Sequence, residues 1–382
     1  MKIVYLSSGT DELGFHDHKF LLKLCQKGYD TYLVSYSIKN IAQKIKDISE
    51  LKIIHHRPRI FPRPRRYLLF TDKIYHFKRM LKIVKPDILH SGNLWNYGFL
   101  ASLSGFRPHL SMPFGSDILI DPDKLLPIKW INKYTLSRAD MATCDNEIVK
   151  RKIMEDYDYP EEKIVVFPWG IELDMFNPKV NGNFIRKALG WEGNIVFIMT
   201  RHFLPVYGIT YFIKALPHVI HRNPKLRVIL IGSGPLELEI KSLIKRNQLE
   251  KYIKMVGRTD RERMPQYLNA ADVYASSSLS DGTSVSLLEA MACGLPVIVS
   301  DLETNREWVK DNYNGFLVPP KNVRILCDKI LHLLKSGELR RLMGLRNIEI
   351  AKEKADWEKN FTKLESIYTL LVSQRKSEKK QL

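Results

Sequence analysis

The alternation of short apolar runs with helical patterns is the strongest restriction on the fold of this sequence. Runs of strand length stand at 2–8 and 30–36 in the first half and at 194–200 and 226–232 in the second, and helical patterns separate them. Strands joined through helices pair in parallel, because the helix carries the chain back to the end of the sheet where the previous strand began. The sequence therefore predicts an α/β protein with two doubly wound, Rossmann-like sheets in tandem.

This alternation breaks in the polar stretch 177–193, which carries Pro and Gly and is typical of a linker. We predict a first domain over 1–176 and a second over 190–354. A helix with regularly spaced apolar residues follows over 355–373, and the basic end, 374–382, is expected to be disordered. Because ligands of such sheets bind at the carboxyl ends of the strands, we expect a ligand cleft between the two domains.

The cysteines and the apolar runs of the sequence indicate the cellular compartment of the protein. The four cysteines have no CxxC or CxxH spacing, which predicts neither a disulfide framework nor a zinc site. The first apolar run is too short for a signal peptide, and no run approaches the length of a membrane span. We expect a cytoplasmic protein, soluble or peripheral on the inner face of the plasma membrane.

The net charge of +18 is spread unevenly. Segment 52–85 holds eleven Lys and Arg against one acid, Asp72, with prolines and aromatics between them. Such a segment attracts phosphates of lipid headgroups, nucleic acid or a pyrophosphate-carrying substrate. A solvated lysine-rich face is an equally open interpretation. Nucleic acid is not expected as a partner, since the sequence lacks the patterns of nucleic-acid-binding folds.

The segment 276–301 carries the clearest functional signal. A loop of small residues leads into an apolar helix that contains one acid, Glu289, and Asp281 lies eight residues earlier. A buried acid is unfavourable unless hydrogen bonds satisfy it, and the hydroxyls of a bound sugar would do so. The alternatives are a buried ion pair with an arginine for Glu289 and a simple turn residue for Asp281.

The same loop has the features of a phosphate site. A helix that begins near Ser284 presents backbone N–H groups and the positive end of its dipole. Gly282 permits close approach of the backbone, and Thr283 or Ser284 can cap the helix. Val285 lies one turn before Glu289 on the same face, so the acid can reach under the ligand.

These residues resemble the signature of the family 4 glycosyltransferases, which are retaining, nucleotide-sugar-dependent enzymes with the GT-B fold. Asp281 stands where the first acid of the signature is usually Glu, and Glu289 matches the second. Segments 167–178, 230–236 and 314–320 resemble further family motifs, so the resemblance extends over nearly the whole chain. It implies two facing Rossmann-like domains and a final helix that crosses back to the first.

The resemblance also implies roles for individual residues. The acid at Glu289 binds the ribose of the nucleotide, while Asp281 and the amides near it hold the donor sugar. Gly14 matches a glycine loop near the donor phosphates, and Gly257 is a candidate contact of the base. No metal or other cofactor is expected; the nucleotide-sugar is a co-substrate, and the acceptor is a glycan or a lipid-linked glycan.

Two departures from the family pattern stand out. The usual Arg and Lys that grip the pyrophosphate fall on His202 and Tyr207, with Arg201 one position earlier. Arg201 is therefore expected to stabilise the leaving group, helped by His202 and the helix dipole. If the strand extends to Arg201 and His202, their side chains alternate in direction and only one of them faces the ligand. A core role for Tyr207 is as well supported as a ligand role.

In the first domain, the usual His of a His–Gly pair is replaced by Phe114. Asp117 nearby is a candidate to orient an acceptor hydroxyl or the sugar, with a helix N-cap as the alternative. We predict a retaining hexosyltransferase of envelope glycan, exopolysaccharide or glycolipid synthesis, with Asp281, Arg201 and Asp117 as catalytic residues. A non-catalytic GT-B scaffold at an anionic membrane surface is the alternative.

Overall fold

The computed structural model describes residues 1–9, 14–37, 40–56, 68–124 and 126–381. Most of the basic run within 52–85 lies outside the described residues, including Arg63, Arg65 and Arg66. The chain divides into two compact units. The first comprises Met1–Phe167 with Lys363–Leu382, and the second comprises Pro168–Thr362.

The first unit contains a parallel sheet of seven strands in the order β3-β2-β1-β4-β5-β6-β7. Its strands are β1 (Lys2–Leu6), β2 (Asp30–Ser35), β3 (Lys52–His55), β4 (Ile88–Gly92), β5 (His109–Met112), β6 (Met141–Cys144) and β7 (Ile164–Val166). Its helices are α1 (Gly14–Gln26), α2 (Gln43–Lys46), α3 (Leu68–Val84), α4 (Phe99–Ser104), α5 (Ser116–Leu119), α6 (Asp121–Lys124), α7 (Leu126–Arg138) and α8 (Glu147–Tyr157), and a π-helical turn spans Leu94–Gly98.

The second unit contains a parallel sheet of six strands in the order β10-β9-β8-β11-β12-β13. Its strands are β8 (Ile195–Thr200), β9 (Leu226–Ile231), β10 (Ile253–Gly257), β11 (Val273–Ser276), β12 (Val297–Ser300) and β13 (Gly315–Val318). Its helices are α9 (Asn183–Leu189), α10 (Ile209–Arg222), α11 (Glu237–Arg246), α12 (Met264–Asn269), α13 (Val285–Ala292), α14 (Glu303–Arg306), α15 (Val323–Lys335) and α16 (Gly337–Lys354), and α17 (Trp357–Gln381) continues into the first unit.

Both sheets have apolar residues on their two faces, as expected for strands covered by helices. Along β8, Phe197 and Met199 pack into one core cluster, while Val196 and Ile198 pack into another. The predicted α/β class with two doubly wound parallel sheets is confirmed. The strand order reverses between β1 and β4 in the first sheet and between β8 and β11 in the second, which marks the carboxyl ends of these strands as ligand edges.

The structure places two segments differently from the sequence expectation. The polar stretch 177–193 lies inside the second unit, because Ile185 and Trp191 within it are buried in that unit's core beside Phe176. The end predicted as a disordered tail over 374–382 is helical through Gln381. Lys, Glu, Gln and Arg are good helix formers, and Arg375 pairs with Glu378 one turn later at 3.0 Å.

Candidate functional site

The candidate site is built at the carboxyl edge of the second sheet, where the strand order reverses. Arg201 follows the last residue of β8, and the loop 277–284 follows β11 and leads into α13. The parallel pairing of β8 with β11 brings these two chain ends side by side. This is the edge at which a doubly wound sheet binds its ligand.

Arg201 and Asp281 form the centre of a polar cluster at this edge. One guanidinium nitrogen of Arg201 donates to Oγ of Ser284 at 2.8 Å and to Oγ of Ser286 at 3.1 Å. The other donates to the carboxylate of Asp281. The hydroxyls of Tyr274 and Ser286 lie 2.9 Å apart. The cluster fixes one cation and one anion at the start of α13.

Burial and charge act in opposite directions on Asp281. Burial raises the pKa of this carboxyl from its usual value, while the Arg201 guanidinium and the Ser284 hydroxyl lower it. The side chain of Arg201 is only 9% exposed and that of Asp281 15%. A pair this far from water interacts more strongly than a surface ion pair and holds its geometry.

Tyr207 supports the guanidinium of Arg201 from one side. The Cζ atom of Arg201 lies 4.0 Å from the centre of the Tyr207 ring, a cation–π contact. The ring also packs against the core of the unit. Gly208 has a left-handed φ of 57°, and a Cβ there would lie 2.2 Å from the carbonyl oxygen of Ser277, so the turn after Tyr207 is pressed against the loop. Tyr207 thus has the core contact given as one alternative and also positions Arg201.

Arg201 and His202 lie in different environments, although both follow the end of β8 and the alternation of strand side chains does not apply to them. Arg201 is largely buried in the cluster, whereas His202 is exposed. The structure therefore brings Arg201 to Asp281 and leaves His202 toward solvent.

The first turn of α13 adds to the positive potential around Arg201. Ser284 is the N-cap residue, but its hydroxyl accepts from Arg201 and makes no capping hydrogen bond. Thr304 donates its hydroxyl to the backbone carbonyl of Asp281 at 3.1 Å, which fastens the loop. Gly282 and Thr283 lie between these anchors and are partly exposed. The N-terminus of the helix and the guanidinium together favour an anionic ligand.

Glu289 is held by an arginine that the sequence reasoning did not identify. Its carboxylate is buried, with 6% of the residue exposed, and accepts from Nη1 of Arg261 at 2.8 Å. The other terminal nitrogen of Arg261 donates to the carboxylate of Glu172. The ion pair with an arginine, one of the two interpretations of Glu289, is thus present in the structure. The position of Glu172 in a segment with a family resemblance was the one available signal.

Gly257 ends β10, and its carbonyl accepts from the backbone N–H of Gly232 at 2.9 Å. Its φ of 82° is left-handed, and a Cβ at this position would meet no atom within 4 Å. The backbone of Gly257 therefore borders open space at the carboxyl end of its strand.

In the first unit, Asp117 is fully buried and satisfied by backbone groups. Its two carboxylate oxygens accept from the N–H of Leu94 at 2.8 Å and of Phe114 at 2.9 Å. Burial raises its pKa to about 7, although these backbone hydrogen bonds lower it. Gly115, and not Asp117, is the N-cap of α5. The carboxylate of Asp117 thus fastens two loops that follow β4 and β5. Gly14, the other predicted site residue of this unit, is the first residue of α1.

His90, in the middle of β4, is likewise buried. Its Nδ1 lies 2.5 Å from the hydroxyl of Tyr368 on α17, and burial lowers its pKa to about 3. The neutral imidazole ties the sheet of the first unit to the helix that completes it.

Within the described residues, no group of three or more His, Cys, Asp or Glu side chains is arranged to hold a metal ion. A search of the same residues for a helix with the length and apolar character of a membrane span finds none.

Both halves of the chain match known families. Residues 182–349 match the model of glycosyl transferases group 1, and residues 18–175 match the model of Glycosyltransferase Family 4. An uncharacterized glycosyltransferase of Methanocaldococcus jannaschii is 26% identical over 355 residues, which cover 88% of this chain and 93% of that protein.

Two further proteins are similar over most of the chain. The UDP-Gal:alpha-D-GlcNAc-diphosphoundecaprenol alpha-1,3-galactosyltransferase of Escherichia coli is 28% identical over 288 residues, which cover 71% of this chain and 74% of that protein. The crystal structure of Anabaena Alr3699/HepE in complex with UDP has a TM-score of 0.81 at 18% identity and covers 97% of this chain and 100% of that one.

Proposed function

The chain belongs to the family 4 glycosyltransferases and has the GT-B fold, and from this premise we propose that it transfers a hexose from a nucleotide-sugar to an acceptor hydroxyl with retention of configuration. The observation that carries the proposal is the Arg201–Asp281 cluster at the N-terminus of α13. It fixes a guanidinium and a carboxylate side by side at the ligand edge of the second sheet, next to the N-terminus of a helix.

In this proposal the donor diphosphate binds beside Arg201 and the first turn of α13. Asp281, with the amides of Gly282, Thr283, Ser284 and Val285, holds the donor sugar, and Glu289 accepts hydrogen bonds from the ribose. The base lies near Gly257, and His202 offers a further donor to phosphate. No metal is part of the proposal.

Retention follows if the acceptor hydroxyl attacks the face from which the diphosphate leaves. The C–O bond to the acceptor forms as the bond to the diphosphate breaks, and a leaving phosphate oxygen takes the acceptor proton. The reaction then needs charge stabilisation at the phosphate more than a side-chain base. Arg201, fixed by two hydroxyls and Asp281, supplies this charge without having to reorganise.

In this proposal Asp117 contributes to the reaction indirectly, by holding two loops in place. Since the residue is 0% exposed and both oxygens bind backbone N–H groups, we assign it the task of fixing the loops around Phe114 and Leu94. Those loops follow the carboxyl ends of β4 and β5, where an acceptor would bind in the first unit.

The acceptor proposed is a glycan or a lipid-linked glycan of envelope, exopolysaccharide or glycolipid synthesis. The Escherichia coli relative acts, by its name, on a sugar carried by diphosphoundecaprenol. A lipid-linked acceptor would require the protein to reach a membrane surface.

Helix α3 has a face suited to an anionic membrane. Tyr75 and Ile83 are 70% and 71% exposed on it, and the neighbouring Lys78, Arg79 and Lys82 are also exposed. Asp72 is the one acid of segment 52–85, and its Oδ2 lies 3.3 Å from Nε2 of His56. Aromatic and aliphatic side chains among cations are typical of helices that lie in a membrane interface.

Liposome flotation tests this membrane face. Wild-type protein should float with anionic vesicles and not with zwitterionic ones, and Lys78→Glu with Lys82→Glu should abolish flotation. Leu238→Ser, on the exposed and mixed-charge helix α11, is the control that should float normally. Unchanged flotation of the double variant, or binding to nucleic acid in its place, would count against a membrane partner.

Thermal stabilisation by nucleotide-sugars tests the transferase. A ligand that binds only the folded protein raises its melting temperature. We expect a shift with one class among UDP-, GDP-, ADP- and CMP-sugars, lost in Glu289→Ala, and release of the same nucleotide on transfer to an acceptor. Good folding with neither shift nor turnover would instead support the non-catalytic scaffold.

A further inference from the structure

A single arginine is shared by two acids in the second unit. Arg261 comes from the short helical turn after β10 and donates through its two terminal nitrogens to Glu289 and to Glu172. The Nη1–Oε1 distance to Glu289 is 2.8 Å. The side chains of Glu289, Arg261 and Glu172 are 8%, 22% and 31% exposed, so the pair with Glu289 is the more deeply buried.

The guanidinium is further restrained by the core of the unit. Its Cζ lies 4.9 Å from the ring centre of Phe176, a residue with no exposed surface. Glu172 is itself tied to this segment, because its carbonyl accepts from the N–H of Met175 and of Phe176. A planar cation bound on two edges and one face has little freedom to rotate.

Ribose hydroxyls donate hydrogen bonds most strongly to an ionised carboxylate. A carboxyl as buried as Glu289 would favour its neutral form without a nearby cation. Cys293, one turn along α13, is a further titratable neighbour, and burial raises the pKa of its thiol. Arg261 places a positive charge next to the Glu289 carboxylate.

The second acid makes this arrangement compatible with ligand binding. If Arg261 had Glu289 as its one anionic partner, ribose hydroxyls competing for that carboxylate would leave a buried cation poorly paired, which is costly. Glu172 keeps the guanidinium paired while Glu289 rearranges its hydrogen bonds. The pair Arg261–Glu172 thus acts as a fixed support for the ligand-facing acid.

We propose that Arg261, supported by Glu172, is a positioning residue for nucleotide binding: it keeps Glu289 ionised and aimed at the ribose. The inference deepens the proposed function and depends on it for the role of Glu289. Arg261 acts through Glu289 and does not itself touch the reacting atoms.

The test compares variants of Arg261 with a matched arginine elsewhere in the unit. Arg186 pairs with Asp272 at 2.7 Å, and its side chain is 17% exposed, but Asp272 stands before β11, at the opposite edge of the sheet. The dissociation constant is measured by calorimetry for UDP, or for GDP or ADP if the wild type binds one of those instead, between pH 6 and pH 8.5.

We expect Arg261→Met to weaken nucleotide binding about tenfold or more at pH 7, the loss of about one charge-assisted hydrogen bond. The deficit should shrink as the pH rises, because Glu289 then ionises without help. Arg261→Lys should recover most of the affinity, and Glu172→Gln should weaken binding by a smaller factor. Arg186→Met should lower the melting temperature and leave the dissociation constant unchanged.

Three distinguishable results would overturn the inference. If Arg261→Met lowers the melting temperature as Arg186→Met does but binds nucleotide within twofold of wild type at every pH, Arg261 is only structural and the proposed function stands. Tighter nucleotide binding by Arg261→Met would show that Arg261 competes with the nucleotide for Glu289 and does not support its binding. If the wild type binds none of the nucleotides, the proposed function fails first, and the role of Arg261 falls with it.

Discussion

Two acids of the first unit and two of the second are stabilised by different kinds of donor. In the first unit, Asp117 accepts from two backbone N–H groups, and Asp17 accepts from the hydroxyl of Ser7 and the N–H of Gly9. In the second unit, Asp281 and Glu289 are each paired with an arginine. Neutral donors leave the acids of the first unit with pKa values raised by burial to about 7 and about 6.

The kind of donor distinguishes acids that hold loops together from acids that are proposed to bind the ligand. A carboxylate held by backbone groups ties loops together and brings no cation with it. The guanidinium-paired carboxylates of Asp281 and Glu289 place opposite charges together, and in the proposed function phosphate binds the cation while sugar hydroxyls bind the anion. In that proposal Asp117 shapes loops, whereas Asp281 and Glu289 are exchangeable contacts.

The largest effect is expected from Arg201→Met. The variant removes the charge proposed to stabilise the leaving phosphate and leaves Asp281 buried beside Ser284. We expect kcat to fall about a hundredfold to a thousandfold, as for loss of one transition-state donor. Turnover at saturating donor measures this, with Arg186→Met as the folded control. A fall of less than tenfold would mean that Arg201 serves mainly to hold the loop.

A smaller effect, on binding in place of turnover, is expected from Glu289→Gln. The amide keeps the size of the side chain but loses the charge that ribose hydroxyls and Arg261 both use. Donor KM should rise about tenfold while kcat changes less, since the ribose contact is made equally before and during reaction. Steady-state kinetics with donor varied separates the two constants. A drop in kcat alone would place Glu289 nearer to the reacting atoms.

The difference between the units also shows how far the sequence could be interpreted. The sheets, the loop before α13 and the spacing of Asp281 and Glu289 follow from local pattern. The different environments of Arg201 and His202 do not follow from strand alternation, because β8 ends at Thr200. The partners of Arg261 could not be predicted, because they lie 28 and 89 residues away. Tyr207 looked like a departure from a phosphate site, yet its ring lies beside the cation that remains.

In the first unit, Asp117→Asn should change the dependence of stability on pH. The unfolded chain loses this proton near 3.8, whereas the folded chain keeps it to about pH 7. Wild type therefore loses stability as the pH rises from about 4 to 7, by about 1 kcal/mol per pH unit at most from this group. Melting temperatures at pH 5, 6, 7 and 8 should show the variant more destabilised at pH 5 than at pH 8. A constant difference would mean that Asp117 is ionised throughout.

A smaller effect of opposite sign is expected from His109→Gln. His109 is buried beside Ser91 at 2.8 Å, and burial lowers its pKa from 6.5 to about 4. The unfolded chain gains this proton as the pH falls below 6.5 while the folded chain does not, so wild type loses stability between pH 6.5 and 4. The glutamine should remove that loss, with the variant least destabilised at pH 5. The contributions of Asp117 and His109 oppose each other over this range and partly cancel in the wild-type curve. Melting the two single variants beside the wild type separates the two dependences of stability on pH. Parallel curves of stability against pH for all three proteins would refute both assignments.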